Sequence, residues 1–128
     1  MAFVECNNNP YGKKVGDCVI RAIALALYED WDKIYAELAL EGYALKDMPS
    51  ANYVWGNYLT QRGFVRQAIP NFCPDCYTVR DFCEDHPYGI YILATGTHVV
   101  CCRDGDWWDT WDSSQEVPMW YWEKSYGV

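Results

Sequence analysis

The sequence predicts an α+β fold, with helices in its first half packed on an antiparallel sheet in its second. Apolar residues recur at helical spacing between Cys18 and Gly63, and short β-like runs crowd the chain after Gly89. Between two of those runs sits Asp104-Gly105, a hairpin turn signal.

Residues 1–16 are polar and turn-rich, and Asn7-Asn8-Asn9-Pro10-Tyr11-Gly12 disfavours helix. Asp17 is a good N-cap for the alanine- and leucine-rich run from Cys18 to Leu27, which is apolar on nearly every face and so belongs in the centre of a domain. A second helix starts at the Asp30 cap, carries Trp31, Ile34, Tyr35, Leu38 and Ala39, and ends at Gly42. Pro49-Ser50 introduces a third, which stops at Gly63. Phe64-Val65-Arg66 is a short strand. Thr78-Val79-Arg80-Asp81 has the form of a capping box and opens a helix that ends near Pro87. The β-like runs are Ile90–Ala94, His98–Arg103, Trp107–Asp112 and Met119–Trp122.

With 128 residues, the chain has room for one domain, spanning 1–128, with one core and a cleft. The net charge of −8 weighs against sequence-independent nucleic-acid binding, which needs a basic surface, and against an anionic membrane surface. No apolar segment is long enough to span a bilayer, and the N-terminus has no secretory pattern. Seven cysteines, with Cys101 and Cys102 adjacent, suit a reducing compartment, so the expectation is a cytoplasmic protein. Nothing in the composition fixes an oligomeric state.

Cys18 sits where the first apolar helix begins, and His98 opens a strand eighty residues later. A thiol in the first turn of a helix meets orphan backbone N–H groups and the positive end of the dipole. With a histidine nearby, its pKa can fall from about 8.5 to between about 3.5 and 7.5. A carboxylate on the hairpin partner strand would hold the imidazole in one tautomer. Two are available. If Asp104-Gly105 is a two-residue turn, position 98 faces position 111 and Asp109 lies diagonally on the same face. One added loop residue would bring Asp112 opposite His98 instead.

Asp17-Cys18 before an apolar helix, Thr97-His98-Val99-Val100 opening a hairpin, and Asp109-Thr110-Trp111-Asp112-Ser113 on its return resemble the papain-like cysteine peptidases. The likeness is greatest to the small peptidases that cut bacteriocin leaders after a double glycine, and to uncharacterised relatives in gut bacteria and their phages. It covers residues 7–123. The resemblance implies a papain-like fold and a peptide or protein substrate cleaved through a thioester, with no cofactor. It implies Cys18 as nucleophile, His98 as base, and Asp112 as orienting acid, Asp112-Ser113 standing where the relatives have Asp-Pro. One position departs from the pattern. The family usually carries a glutamine six residues before the cysteine, as an oxyanion donor, and here that residue is Gly12. Asn9, or Asn8, is the candidate amide from the same loop. Loss of one such donor costs about 100- to 1,000-fold in rate.

Two other readings compete. One is a papain-like module without activity, bacterial or phage, that binds a protein through its acidic, aromatic surface. The other is a zinc-stabilised binding domain, because Cys73, Cys76, Cys83 and His86 follow a C-x2-C-x6-C-x2-H spacing. Against zinc, His86 before Pro87 is also explained as a partner for a helix C-terminus. Alternation places Trp107 and Trp111 on one sheet face and Trp108 on the other. One set would pack on the helices, and the other would be free to line a groove.

Overall fold

Central strands that are apolar along most of their length need cover on both faces, and the fold supplies it. The computed structural model describes residues 1–70 and 76–124. Its elements are β1 (Phe3–Glu5), α1 (Cys18–Leu27), α2 (Trp31–Leu45), α3 (Asn52–Gln61), β2 (Phe64–Ala68), α4 (Val79–Asp85), β3 (Ile90–Ala94), β4 (Val99–Arg103), β5 (Asp106–Asp109) and β6 (Trp120–Lys124). The strands form a six-stranded sheet in the order β1-β5-β4-β3-β6-β2.

The fold is α+β, and the first three helices lie on the sheet as expected. Ile92, Ala94, Val99, Cys101 and Trp122 face that layer and pack with Ile23, Leu38 and Trp55. Their neighbours Leu93, Val100, Cys102 and Trp107 point to the opposite face, where Val79, Phe82 and Cys83 of α4 cover them together with Ile69. The period-two alternation of strands thus serves two cores.

The sheet is mixed where an antiparallel one was expected. β1 runs parallel to β5, pairing Phe3 with Trp107 and Glu5 with Asp109. Three residues are too few to show an alternation, so this strand left no mark in the sequence. At the other edge, β2 extends past Arg66 to Ala68 and pairs antiparallel with β6. β4 opens at Val99, β5 closes at Asp109, and β6 runs on to Lys124.

Two turns position the functional region. Between β4 and β5, Arg103 pairs with Asp106, and Asp104 and Gly105 both have positive φ, at 49° and 83°. That is the primed two-residue turn whose twist suits a hairpin. The second joins α2 and α3. Gly42 does not end α2, which runs on to Leu45 and closes at Lys46 in the left-handed region. Gly42 instead admits the returning chain. A Cβ at that position would lie 2.6 Å from the Asp47 carbonyl oxygen. The third helix begins at Asn52, just after Pro49-Ser50 and the turn.

The Thr78 capping box forms as expected. The Thr78 hydroxyl accepts from the Asp81 N–H at 3.2 Å, and the Asp81 carboxylate accepts from the Thr78 N–H at 3.0 Å. Among the described residues, no helix is long and apolar enough to cross a membrane.

Gly42→Ala forces a methyl group against backbone that cannot swing away, and such overpacking costs about 1–3 kcal/mol. The expected result is a lower urea midpoint with an unchanged slope. An unchanged midpoint would mean that the α2–α3 turn yields freely.

Candidate active site

Cys18 is the first residue of α1 and lines a cleft of about 250 Å³. One wall is Gly16, Val19, Ser50 and Asn52, and the other is Gly96, Thr97 and His98. Asp17 is the N-cap residue of α1, but its carboxylate makes no capping hydrogen bond. It accepts instead from the Arg21 guanidinium, from Trp31 Nε1 at 3.0 Å and from Asn9 Nδ2 at 3.5 Å. The first turn of α1 is therefore left without a side-chain cap.

His98 is held from both ends. Its backbone N–H donates to Thr95 Oγ1 at 3.0 Å, and its carbonyl accepts from the Thr95 N–H at 2.9 Å. This closes the turn before β4, in which Gly96 takes a φ of 104°. The ring nitrogen Nε2 lies 2.6 Å from Asp109 Oδ2. His98 also acts on the Cys18 thiol, and with Nε2 engaged by Asp109, Nδ1 is the nitrogen left to serve it. Trp111, opposite His98 in the extended register, leans on the imidazole with ring centroids 4.8 Å apart.

Asp109 is 3% exposed, and both of its oxygens are occupied. Oδ2 accepts from His98 and from Ser113 Oγ at 2.7 Å. Oδ1 accepts from the Thr110 N–H at 2.8 Å and faces Arg21 Nη2 at 3.5 Å. Burial alone would raise the pKa of this carboxyl. The hydrogen bonds from His98 and Ser113, with the imidazolium charge, bring it below its ordinary value.

The thiol and imidazole move in opposite directions. Burial would raise Cys18 and lower His98, and in both cases the partners win. A hydrogen bond from His98, another from the Val99 N–H, and the charges of His98 and Arg21 draw the Cys18 pKa below its usual value. Hydrogen bonds to Asp109 and Cys18, with their negative charges, push His98 up to about 9. Each group thus favours the charged form of the other, thiolate beside imidazolium.

Arg21 joins the two carboxylates. It is buried, and its guanidinium reaches Asp17 within its own helix and Asp109 across on β5. Sequence reasoning passed over this residue and Ser113. Arg21 did leave a signal: it is a lone charge in an apolar helix and lies four residues after an aspartate. A buried guanidinium must be paired. Ser113 left none, because its role depends on how the loop after β5 folds back.

Asp112, the acid implied by the resemblance, is not at His98. It accepts from Trp107 Nε1 at 2.9 Å and from the Ser114 N–H at 3.1 Å, which structures the loop after β5. The register explains the correction. The two-residue turn pairs Cys102 with Trp107, and this puts Asp109 on the His98 face.

Asn9 is also placed differently from expectation. Its side-chain oxygen accepts from the Tyr11 N–H at 3.0 Å, its amide nitrogen turns to Asp17, and it does not line the Cys18 cleft. Asn8 Nδ2 donates to the Arg21 carbonyl at 3.2 Å. Neither amide is presented to a substrate at Cys18.

Of the proposed zinc ligands, Cys73 lies outside the described residues. Cys83 is buried with its sulfur 2.8 Å from that of Cys102. His86 donates from Nδ1 to the Phe82 carbonyl at 2.7 Å, as a partner for the end of α4. Among the described residues, no three metal-ligating side chains converge. Trp107 is buried on the α4 side, while Trp111 is 46% exposed beside His98. No protein-family model, curated protein or solved structure matches this chain.

Two outcomes follow from this geometry. Asp109→Asn should slow iodoacetamide alkylation of Cys18 at pH 6 by at least about tenfold, the equivalent of one pKa unit. Asp112→Asn should leave it within about twofold; the reverse ranking would refute the pairing described. Arg21→Met strands two buried carboxylates and should cost about 3–5 kcal/mol in urea unfolding. A loss under 1 kcal/mol would mean that water reaches both carboxylates.

Proposed function

We propose that this protein is a papain-like cysteine hydrolase, most simply a peptidase, whose triad is Cys18, His98 and Asp109. The observation that carries this reading is that His98, which shares the Cys18 cleft and acts on its thiol, is held at 2.6 Å by a buried, fully satisfied Asp109. A structural cysteine would need no base, and a structural histidine would need no oriented carboxylate at 2.6 Å.

The mechanism starts from the thiolate–imidazolium form of this pair. The Cys18 thiolate attacks the scissile carbonyl carbon, and the carbonyl π electrons move to oxygen. The uncapped N–H groups at the start of α1, including that of Cys18, are the donors at hand for this oxyanion. His98 passes its Nδ1 proton to the leaving amine as the C–N bond breaks, which leaves a thioester on Cys18. Neutral His98 then takes a proton from water as the water attacks the thioester. Collapse of the second tetrahedral intermediate releases the acid and restores the thiolate–imidazolium pair. Asp109 holds the imidazole and stabilises its charged form, while Trp111 limits water on one side of the ring.

A second reading has one observation in its favour. Gly12 stands where the peptidases place a glutamine, and the Asn9 amide is committed to Asp17. A non-catalytic module with the same fold needs no side-chain oxyanion donor.

The two readings separate with an activated ester. With p-nitrophenyl acetate, a hydrolase should show a burst, an acetyl group on the Cys18 peptide, and continued turnover. The burst should quicken as Cys18 deprotonates with rising pH. The turnover that follows, limited by hydrolysis of the thioester, should rise with the fraction of His98 that is neutral and so able to act as base. Cys18→Ala should abolish all three signals, and His98→Ala should suppress turnover. An acetyl group that forms on Cys18 and never leaves would favour the binding module.

A further inference from the structure

A second, larger groove of about 390 Å³ continues from the Cys18 cleft. The two share Asn52, and Ala94, which lines the cleft, pairs with Trp120, which lines the groove. Trp120 and Trp122 of β6 form its apolar surface with Tyr53 of α3. Gly56 brings α3 so close that a Cβ there would meet the Trp122 ring at 3.0 Å. At the far end stands Arg66 of β2, its guanidinium 5.0 Å from the Trp120 ring centroid.

Among the described residues, Arg66 is the sole charged residue on the lining of this groove. In a chain with 18 acidic and 10 basic residues, this groove bears a cation and, among the described residues, no carboxylate on its lining. Among the described residues, Arg66 forms no ion pair. A guanidinium above an indole and without an ion pair has N–H donors to offer, and its fork matches a carboxylate in two-point geometry.

We propose that this groove is the specificity subsite of the Cys18 cleft and receives an acidic side chain, Asp or Glu, of an extended peptide substrate. The inference rests on the hydrolase reading above for its orientation relative to a scissile bond. Three strand steps of about 4.8 Å separate β4, beside Cys18, from β2, which makes about 14 Å, or about four residues of extended peptide. The acidic residue therefore sits about four positions from the bond that is cut. The peptide's backbone crosses the Trp120 surface between the two.

One synthetic mixture of random-sequence decapeptides tests this in two ways. In the first, the mixture is digested and the products are read by mass spectrometry. Asp and Glu should be enriched about fivefold over Asn and Gln, near the fourth position on one side of the cut. Arg66→Glu should reverse the preference towards Lys and Arg. The ratio of acidic to basic peptides is the readout, and a general loss of activity leaves it unmoved. In the second, immobilised Cys18→Ala protein retains peptides from the uncut mixture, and the same acidic enrichment is expected, lost when Arg66→Glu is added.

Acidic enrichment on the immobilised protein with no cutting by the wild type would sink the peptidase reading and leave the groove's preference standing. Cutting with no acidic preference, or with an unchanged profile in Arg66→Glu, would overturn the groove inference and leave the peptidase reading intact. No cutting and no acidic retention would overturn both.

Discussion

The structure depends on one buried guanidinium. Arg21 sits between Asp17, at the start of α1, and Asp109, at the end of β5. Three charges taken out of water are tolerable only when each has its partners, and here every one does. The consequences reach in both directions. Asp17 is drawn away from capping α1, so the helix start is left open beside Cys18. Asp109 is pinned from behind, and its other oxygen can hold His98 in one orientation. The helix that carries the thiol and the hairpin that carries the imidazole are thus tied by the same group that adds positive charge near the thiolate.

The length of a turn decides which acid serves the histidine. Side chains alternate along a strand, so a shift of one residue exchanges the faces of the whole hairpin. Asp104 and Gly105 both accept positive φ, and the two-residue turn they form sets Cys101 against Trp108 and Cys102 against Trp107. Asp109 then shares a face with His98. Asp112 falls in the loop beyond and is used there to anchor Trp107 and Ser114.

The cleft and the groove share a dependence on close packing by glycine. Gly42 lets the α2–α3 connection press back on α2, which sets Ser50 and Asn52 as a wall of the Cys18 cleft. Gly56 lets α3 settle onto Trp122, which shapes the groove beside it. Neither glycine is needed for a turn. Both are needed because another group occupies the space where a side chain would stand.

The sequence by itself determined the α+β class, the apolar central helix, the Thr78 capping box and the hairpin at Asp104-Gly105. These are local properties, set by periodicity, capping chemistry and backbone sterics within a few residues. It also narrowed the candidate site to Cys18, His98 and two aspartates, because thiol and imidazole chemistry limits which residue types can serve. Tertiary structure decided the rest. β1 is too short to carry a pattern and exists because β5 offers it an edge. Asp109 was chosen over Asp112 by register, and Asn9 was turned to Asp17 by a buried charge. Arg21 acquired its place only when a helix and a strand 88 residues apart in the chain were brought together. Long-range pairings of this kind are selected by desolvation and packing, and no local stretch of sequence records those.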